Sequence, residues 1–181
     1  MYSSILPTYN RVKLSFHSGK GSYLITKKGR KYLDFTSGIA VTSLGHCNSY
    51  LIKVLNQQSK KLWHCSNAYE IPEQEKLAKK LVKLTFADKV FFCNSGAEAV
   101  ETALKLCRKW AYEVKGIDLN KAEIVVCKNN FHGRTTTIIS FSNDEDARKN
   151  FGPYTPGFLK IPYDNTEALE KALEENDNIA G

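Results

Sequence analysis

The sequence predicts an α/β fold in which a mainly parallel sheet is packed with helices and preceded by a segment with a β-hairpin. Residues 90–93 and 124–127 are two short runs that are apolar on both faces, as strands buried inside a parallel sheet are. A long stretch with apolar residues at helical spacing lies between them. Strand, helix and strand in this order form a βαβ unit, the building block of a parallel sheet.

The segment before residue 90 predicts a hairpin and two helices. Residues 22–35 contain two β-prone runs joined by a turn that includes Gly29, which is the pattern of a β-hairpin. Leucine and valine residues on one side predict a helix over about 49–62. A second helix is predicted to begin at Pro72, because proline is favoured in the first helical turn.

The remaining elements follow the first predicted strand. Residues 94–97 break that strand and open the long helix, and Gly116 is expected to end this helix. After the second predicted strand, a last helix is predicted near 166–175. Asp164 and Glu167 resemble a capping box at its start.

Composition favours a folded protein of the cytoplasm. The 181 residues include 42% hydrophobic and 25% charged side chains, which excludes a disordered or fibrous chain. No run of 18 apolar residues is present, so we expect no membrane-spanning helix. The first residues lack a basic region followed by an apolar stretch, so we expect no secretory signal and a cytoplasmic location.

The positive charge and the cysteines do not indicate nucleic acid or metal. Lys and Arg number 26 against 19 Asp and Glu, a net charge of +7. The excess lies in short lysine runs within residues 1–90, which favour solvated faces over phosphate contacts, so no nucleic-acid binding is expected. Five cysteines without a Cys-x-x-Cys pattern favour reduced thiols. The pairs His46-Cys47 and His64-Cys65 lack the ligand spacing of a zinc site, so no metal is expected.

One candidate site lies where the first predicted strand gives way to a helix. Ligands of parallel α/β sheets bind beyond the carboxyl ends of the strands. Free backbone N–H groups and the positive end of the helix dipole favour a phosphate at this place. Gly96 would let the anion approach the backbone next to Ala97, and Ser95 could donate a hydroxyl hydrogen bond. An ordinary tight turn explains Ser95-Gly96 equally well, and the residues alone leave both interpretations open.

A second candidate site follows the strand predicted at 124–127. The loop 128–135 places an aromatic ring, an imidazole and a guanidinium around a glycine. Phe131 could form one wall of a flat heteroaromatic pocket, and Arg134 could clamp a carboxylate through a bidentate pair. Alternatively, Phe131 belongs to the core and Arg134 pairs with a surface carboxylate. Three functional residue types on one such loop favour the functional interpretation.

The sequence around these loops resembles a known group of enzymes, the acetylornithine aminotransferases. They belong to the fold-type-I pyridoxal-phosphate-dependent aminotransferases and are related to ornithine and 4-aminobutyrate aminotransferases. The combination of the two loop motifs is specific to this group, and the resemblance spans most of residues 6–164. The matching stretches are 33–41 (Leu-Asp-Phe-Thr-Ser-Gly-Ile-Ala-Val), 44–47 (Leu-Gly-His-Cys), 62–67 (Leu-Trp-His-Cys-Ser-Asn), 92–99 (Phe-Cys-Asn-Ser-Gly-Ala-Glu-Ala) and 131–135 (Phe-His-Gly-Arg-Thr).

The resemblance implies a role for each candidate residue. Gly96 and Ala97, with Ser95 beside them, would hold the phosphate of pyridoxal 5'-phosphate through backbone N–H groups. Phe131 would stack on the pyridine ring, and Arg134 would bind the α-carboxylate of the amino donor and of 2-oxoglutarate. These roles agree with the physical interpretation of the two loops.

The chain departs from the resembled group in one place and lacks two of its residues. Asn48-Ser49 stand where His-Pro is usual, a change expected to affect a helix start but no ligand contact. Aminotransferase chemistry also needs a lysine that holds the cofactor as a Schiff base and an acidic residue that pairs with the pyridinium nitrogen. In the resembled group both lie beyond position 181. Lys128, the nearest candidate here, matches no role in that group.

We therefore expect the chain to be the N-terminal half of such an enzyme and to be inactive alone. Residues 1–63 are expected to contribute to the small domain, and residues 64–181 to form the first half of the large cofactor-binding domain. The implied reaction transfers the δ-amino group of N-acetylornithine to 2-oxoglutarate in arginine biosynthesis, in a homodimer. Another ω-amine donor (ornithine, 4-aminobutyrate or succinyl-diaminopimelate) and a non-catalytic phosphate-binding fragment remain as alternatives.

Overall fold

The structure is a computed structural model that describes residues 4–181, and its packing divides the chain into two compact units. The first unit ends at Glu75, and the second comprises Lys76–Gly181. Among the described residues, no helix is both long enough and apolar enough to cross a membrane. Within the same residues, no group of three or more potential metal-ligating side chains is found.

The first unit contains a small antiparallel sheet. Its strands are β1 (Ser18–Lys20), β2 (Tyr23–Ile25) and β3 (Lys31–Leu33), arranged in the order β1-β2-β3. Gly29 has a φ of +81° in the turn between β2 and β3, a conformation that favours glycine. The predicted hairpin over 22–35 is therefore confirmed, and β1 extends it by a third strand.

Two helical segments follow the sheet. The short α1 (Ser37–Ala40) is a left-handed turn, because all four of its residues have positive φ. The longer α2 (Ser49–Gln58) begins where predicted and ends four residues earlier than expected. Asn48 caps α2, and its side-chain oxygen accepts the backbone N–H groups of residues 50 and 51 at 3.0 and 3.3 Å. The unusual Asn48-Ser49 dipeptide thus supplies the helix start that it was expected to affect.

Two long helices bear out the predicted helical spacing. The first, α3 (Pro72–Leu84), begins at the predicted proline and runs from the first unit into the second. The second, α4 (Gly96–Trp110), continues as a π-helical turn, Ala111–Lys115. Gly116 ends it with a left-handed φ of +79°, as predicted.

The second unit is built on a parallel pair of strands. These are β4 (Ile124–Cys127), found where predicted, and β5 (Phe158–Ile161), which was not predicted. They align in register from Ile124 opposite Phe158 to Cys127 opposite Ile161. Both strands therefore end at the same edge of the sheet, where the backbone N–H of Lys128 donates to the carbonyl of Ile161 at 2.7 Å.

The predicted strand at 90–93 is wrong. No residue among 4–181 pairs with this run, and Phe91 is 65% exposed although burial on both faces was expected. A strand requires a hydrogen-bonded neighbour, which the described residues do not supply, and the face with Phe91 is left uncovered. The parallel pair of this chain is β4 with β5, and the α/β class is retained.

Three shorter helices complete the second unit. They are α5 (Thr136–Phe141), α6 (Glu145–Arg148) and α7 (Thr166–Glu175). The predicted helix near 166–175 is confirmed, but its predicted capping box is wrong. Asn165 caps α7 by accepting the N–H of residue 168 at 2.8 Å, whereas Asp164 has a left-handed φ of +55° outside the helix.

The core of the second unit joins α4, β4 and α5. Side chains from these three elements are buried together, and they fix the carboxyl end of β4 relative to the start of α4. They are Leu104, Ile124, Val126, Ile138 and Phe141.

Candidate functional site

The start of α4 forms a capped helix corner, defined here as residues 94–98. Ser95 is extended (φ −151°, ψ 160°), and its hydroxyl oxygen accepts the backbone N–H of Glu98 at 3.2 Å. The Glu98 carboxylate turns back and accepts the backbone N–H of Asn94 at 2.7 Å. This arrangement is close to a capping box, and the Ser95-x-x-Glu98 spacing could have revealed it in the sequence.

The next two amides of the helix corner are available to a ligand. Among the described residues, none accepts a hydrogen bond from the N–H of Gly96 or of Ala97. A Cβ atom built on Gly96 would meet no atom of the described part of the chain within 4 Å, which leaves the space beside this residue open. Two free amides at a helix N-terminus are suited to binding an anion, and no side chain among residues 4–181 occupies the space beside Gly96.

The Glu98 carboxylate at this corner is held by hydrogen bonds from Asn94. Hydrogen bonds from the side chain and then the backbone of Asn94 lower the pKa of Glu98 below its ordinary value. The carboxylate is therefore ionised at neutral pH, and its strongest partners are both on Asn94. The carboxylate accepts hydrogen bonds from Asn94 and Ser95, so among the described residues the amides of Gly96 and Ala97 stay available to another anion.

The loop between β4 and α5, residues 128–135, is anchored at both of its ends. The Asn130 amide donates to the carbonyls of Cys127 and Phe141 at 2.6 and 3.4 Å. Thr135 caps α5, since its hydroxyl oxygen accepts the N–H of Ile138 at 3.2 Å. The residues between these anchors, 131–134, are held at the carboxyl end of β4.

This loop lies against the helix corner. Gly133 has a φ of +125°, and a Cβ atom built on it would approach the Ala97 Cβ and the Ile138 Cδ1, each to 3.1 Å. One turn further along α4, the Thr135 hydroxyl donates a hydrogen bond to the Glu101 carboxylate. The two loops singled out in the sequence are therefore neighbours, an arrangement that the sequence could not fix.

The ring and the guanidinium are exposed on this loop. Phe131 is 75% exposed, so the alternative that it belongs to the core is wrong. It lines a cavity of about 300 Å³ together with other loop residues and the α5–α6 connection, and an open groove shared with Lys128 and Tyr163. Arg134 is exposed as well, and no side chain among residues 4–181 forms an ion pair with it. His132 is exposed too, and its ring centroid lies 6.0 Å from that of Phe141.

Known proteins resemble the chain along nearly its whole length. It matches the family described as aminotransferase class-III over residues 6–180. An acetylornithine aminotransferase of Rhodobacter capsulatus is 47% identical over 175 residues, which are 97% of this chain and 44% of that protein. An ornithine aminotransferase of Plasmodium falciparum is 44% identical over 167 residues, which are 92% of this chain and 40% of that protein.

Solved structures agree with these sequence matches. The ornithine aminotransferase of Toxoplasma gondii superposes with a TM-score of 0.93 at 38% identity, covering 98% of this chain and 42% of that one. The acetylornithine aminotransferase of Elizabethkingia anophelis gives a TM-score of 0.80 at 45% identity, covering 97% and 42%. The chain thus spans less than half the length of these relatives. Because the family match covers nearly every residue and the helix corner lies beside the loop, the chain belongs to the class-III aminotransferases.

Proposed function

We propose that the protein carrying this chain is an acetylornithine aminotransferase. It transfers the δ-amino group of N-acetylornithine to 2-oxoglutarate, a step of arginine biosynthesis, with pyridoxal 5'-phosphate as its cofactor. The observation that carries the proposal is the pair of amides at Gly96 and Ala97, which have no acceptor among residues 4–181 and lie beside the loop with Phe131 and Arg134. The names of the bacterial relatives at 44–48% identity support this choice of reaction.

The helix corner is proposed to hold the cofactor phosphate. The amides of Gly96 and Ala97 donate to phosphate oxygens, and the α4 dipole favours the negative charge. Ser95 adds a hydroxyl donor, which now lies 3.3 Å from a Glu98 carboxylate oxygen and can turn toward the anion. The open space at Gly96 fits this role, since a bound phosphate needs close approach to the backbone.

The loop is proposed to orient the cofactor ring and the substrate. Phe131 offers an exposed aromatic face for stacking on the pyridine ring. Arg134 can bind the α-carboxylate of the amino donor, and then a carboxylate of 2-oxoglutarate, through two parallel hydrogen bonds. When bound, pyridoxal phosphate supplies the electron sink that amino transfer requires.

Ornithine is the second candidate for the amino donor. The structure superposes on the Toxoplasma ornithine aminotransferase with a TM-score of 0.93, against 0.80 for the Elizabethkingia acetylornithine enzyme. Sequence identity favours the opposite order, 45% for the acetylornithine enzyme against 38%. Both donors carry an α-carboxylate for Arg134, so the two loops described here do not decide between them.

The organisation of the protein forms part of the proposal. Residues 1–63 contribute to a small domain, and residues 64–181 begin the large cofactor-binding domain. The enzyme acts as a homodimer in the cytoplasm. The division of the chain into two units after Glu75 is compatible with a boundary in this part of the sequence.

The experiment uses the protein expressed from its complete reading frame. Pyridoxal phosphate is titrated first, and kcat/KM is then measured with 2-oxoglutarate and each of four donors: N-acetylornithine, ornithine, 4-aminobutyrate and succinyl-diaminopimelate. We expect saturable cofactor binding and the highest kcat/KM with N-acetylornithine. A higher value with another donor would replace the proposed substrate, and cofactor binding without turnover of any donor would leave a non-catalytic binding protein.

A further inference from the structure

The second contact between the loop and α4 has a geometry that suggests a role beyond packing. Glu101 and Thr135 are 34 residues apart in sequence, and both are half-buried. The Thr135 hydroxyl has one proton, which it donates to the Glu101 carboxylate. Its oxygen accepts the N–H of Ile138 at the same time, so one side chain starts α5 and ties the loop to α4.

This hydrogen bond and the Gly133 contact lie on the same face of α4. Ala97, which contacts Gly133, and Glu101 are four residues apart, and residues at this spacing are neighbours on a helix surface. The loop is thereby attached to the helix at two points, one turn apart. A single contact would let the loop pivot, whereas two contacts fix its orientation.

The attachment points enclose the residues that the proposed function uses. Arg134 lies between Gly133 and Thr135, the two attached loop residues, and the free amide of Ala97 belongs to the first attached position of α4. These contacts thus set the separation between the helix amides and the backbone of Arg134, from which the guanidinium extends. Small displacements of such groups cost binding, because a bidentate carboxylate pair requires correct geometry.

We propose that Glu101 and Thr135 are a positioning pair, which holds Arg134 and Phe131 at the correct distance from the phosphate-binding amides. The inference rests on the proposed aminotransferase function and deepens it. Neither residue touches the cofactor or the substrate; both act through the loop. The hydrogen bond should therefore affect ligand affinity more than the rate of the chemical step.

Four variants of the protein expressed from its complete reading frame test the pair. Glu101→Ala removes the acceptor, and Glu101→Gln keeps an oxygen acceptor in its place. Thr135→Ser keeps the hydroxyl that caps α5 and donates to Glu101. Glu113→Ala is the matched control, because this glutamate is exposed and its ion-pair partner is the exposed Lys109, at 3.5 Å. Each variant is measured for the dissociation constant of pyridoxal phosphate, the KM for 2-oxoglutarate, kcat and the melting temperature.

For Glu101→Ala we expect the KM for 2-oxoglutarate and the cofactor dissociation constant to rise about tenfold, the scale of a lost charge-assisted hydrogen bond. The value of kcat is expected to fall by less than the KM rises. The KM for 2-oxoglutarate and the cofactor dissociation constant should stay within about threefold of the parent values in Glu101→Gln, Thr135→Ser and Glu113→Ala.

Three results would overturn the positioning role. The first is a Glu101→Ala protein with unchanged KM and cofactor affinity. The second is a Glu101→Gln protein as impaired as Glu101→Ala, because charge and not the hydrogen bond would then be the cause. The third is a loss confined to the melting temperature, which would make the pair structural. Failure of the parent protein to bind pyridoxal phosphate or turn over any donor would instead refute the proposed function.

Discussion

Gly133 lies against Ala97 so closely that a Cβ atom on the glycine would stand 3.1 Å from the alanine Cβ. This contact joins the loop after β4 to the first turn of α4, and a family-specific motif contributes one residue to each side. A side chain at this position would require Ala97 or Ile138 to move by a few tenths of an ångström, and it would be strained at a φ of +125°. The distance between the two proposed ligand-binding segments therefore depends on this glycine.

Gly133→Ala is expected to separate the two segments. The new methyl group would meet both Ala97 and Ile138, and alanine is strained at this φ, so we expect a loss of roughly 2 kcal/mol in the free energy of unfolding. We also expect weaker binding of pyridoxal phosphate. Urea denaturation and cofactor titration measure the two effects.

Gly116→Ala serves as the control for the backbone effect. Gly116 has a φ of +79°, but a Cβ atom there would meet nothing within 4 Å. It should cost roughly 1 kcal/mol from backbone strain alone and leave cofactor affinity unchanged. Equal losses of stability and of cofactor affinity in Gly133→Ala and Gly116→Ala would show that the Ala97 contact does not position the loop.

Gly96→Ala should separate cofactor binding from stability. The φ of Gly96 is not positive, and the site of the new methyl group is open, so alanine should fit and raise the free energy of unfolding by up to about 1 kcal/mol. The same methyl group occupies the proposed phosphate cradle, and we expect the affinity for pyridoxal phosphate to fall at least tenfold. Titration with pyridoxal, which lacks the phosphate, is the control and should show no comparable loss. An unchanged affinity for pyridoxal phosphate would place the phosphate elsewhere.

Phe131→Ala should weaken cofactor binding with little effect on folding. The ring is 75% exposed, so its removal should change the free energy of unfolding by less than about 1 kcal/mol. Loss of the stacking surface should reduce the affinity for pyridoxal phosphate, and Phe131→Tyr should restore it. Phe86→Ala, at a fully exposed ring, is the control and should change neither quantity. A folding defect in Phe131→Ala without a binding defect would assign the ring to structure.

Arg134→Lys should impair carboxylate recognition although the charge is kept. Lysine cannot form the two parallel hydrogen bonds of a guanidinium, so we expect the KM for 2-oxoglutarate to rise about tenfold or more. Arg134 is exposed and has no ion-pair partner among residues 4–181, so the melting temperature should stay unchanged. An amine donor without an α-carboxylate is the control, because its KM should not respond. An equal increase in KM for that donor would contradict the assigned role.

Elements with strong local determinants could be predicted from the sequence, and those that depend on pairing could not. Gly116 ends its helix and Pro72 begins another as predicted, because both effects are local. Residues 90–93 have the composition of a buried strand, yet no described residue pairs with them. The strand β5 was missed because Lys160 interrupts its apolar run; the lysine amine donates to the carbonyl of Ser142 at 3.2 Å.

The candidate site divides in the same way. The free amides at Gly96 and Ala97 follow from the position of these residues at a helix start, which the sequence indicates. The contact of Gly133 with Ala97 and the hydrogen bond of Thr135 to Glu101 join residues more than 30 positions apart, and no local pattern encodes them. The sequence predicts the parts of the site, and tertiary packing decides their distance.

The hydrogen bonds to Asp34 should make the first unit sensitive to acid. Asp34 lies 2.8 Å from His46, and the hydrogen bonds from His46, then Thr36 and the backbone of Ser37, lower its pKa below the ordinary 3.8. The folded state thus holds the Asp34 proton less tightly than the unfolded state, and stability rises with pH through this window. The contribution is complete above pH 3.8 and is lost as the pH falls through the lowered pKa.

Asp34→Asn should therefore have a lower melting temperature at neutral pH and a smaller further decrease below pH 4. Asp118→Asn, at an exposed aspartate, is the control and should follow the parent curve. The linkage would be contradicted if the melting temperatures of Asp34→Asn and the parent protein changed in parallel with pH between about pH 2.5 and pH 7, the range in which carboxylates titrate.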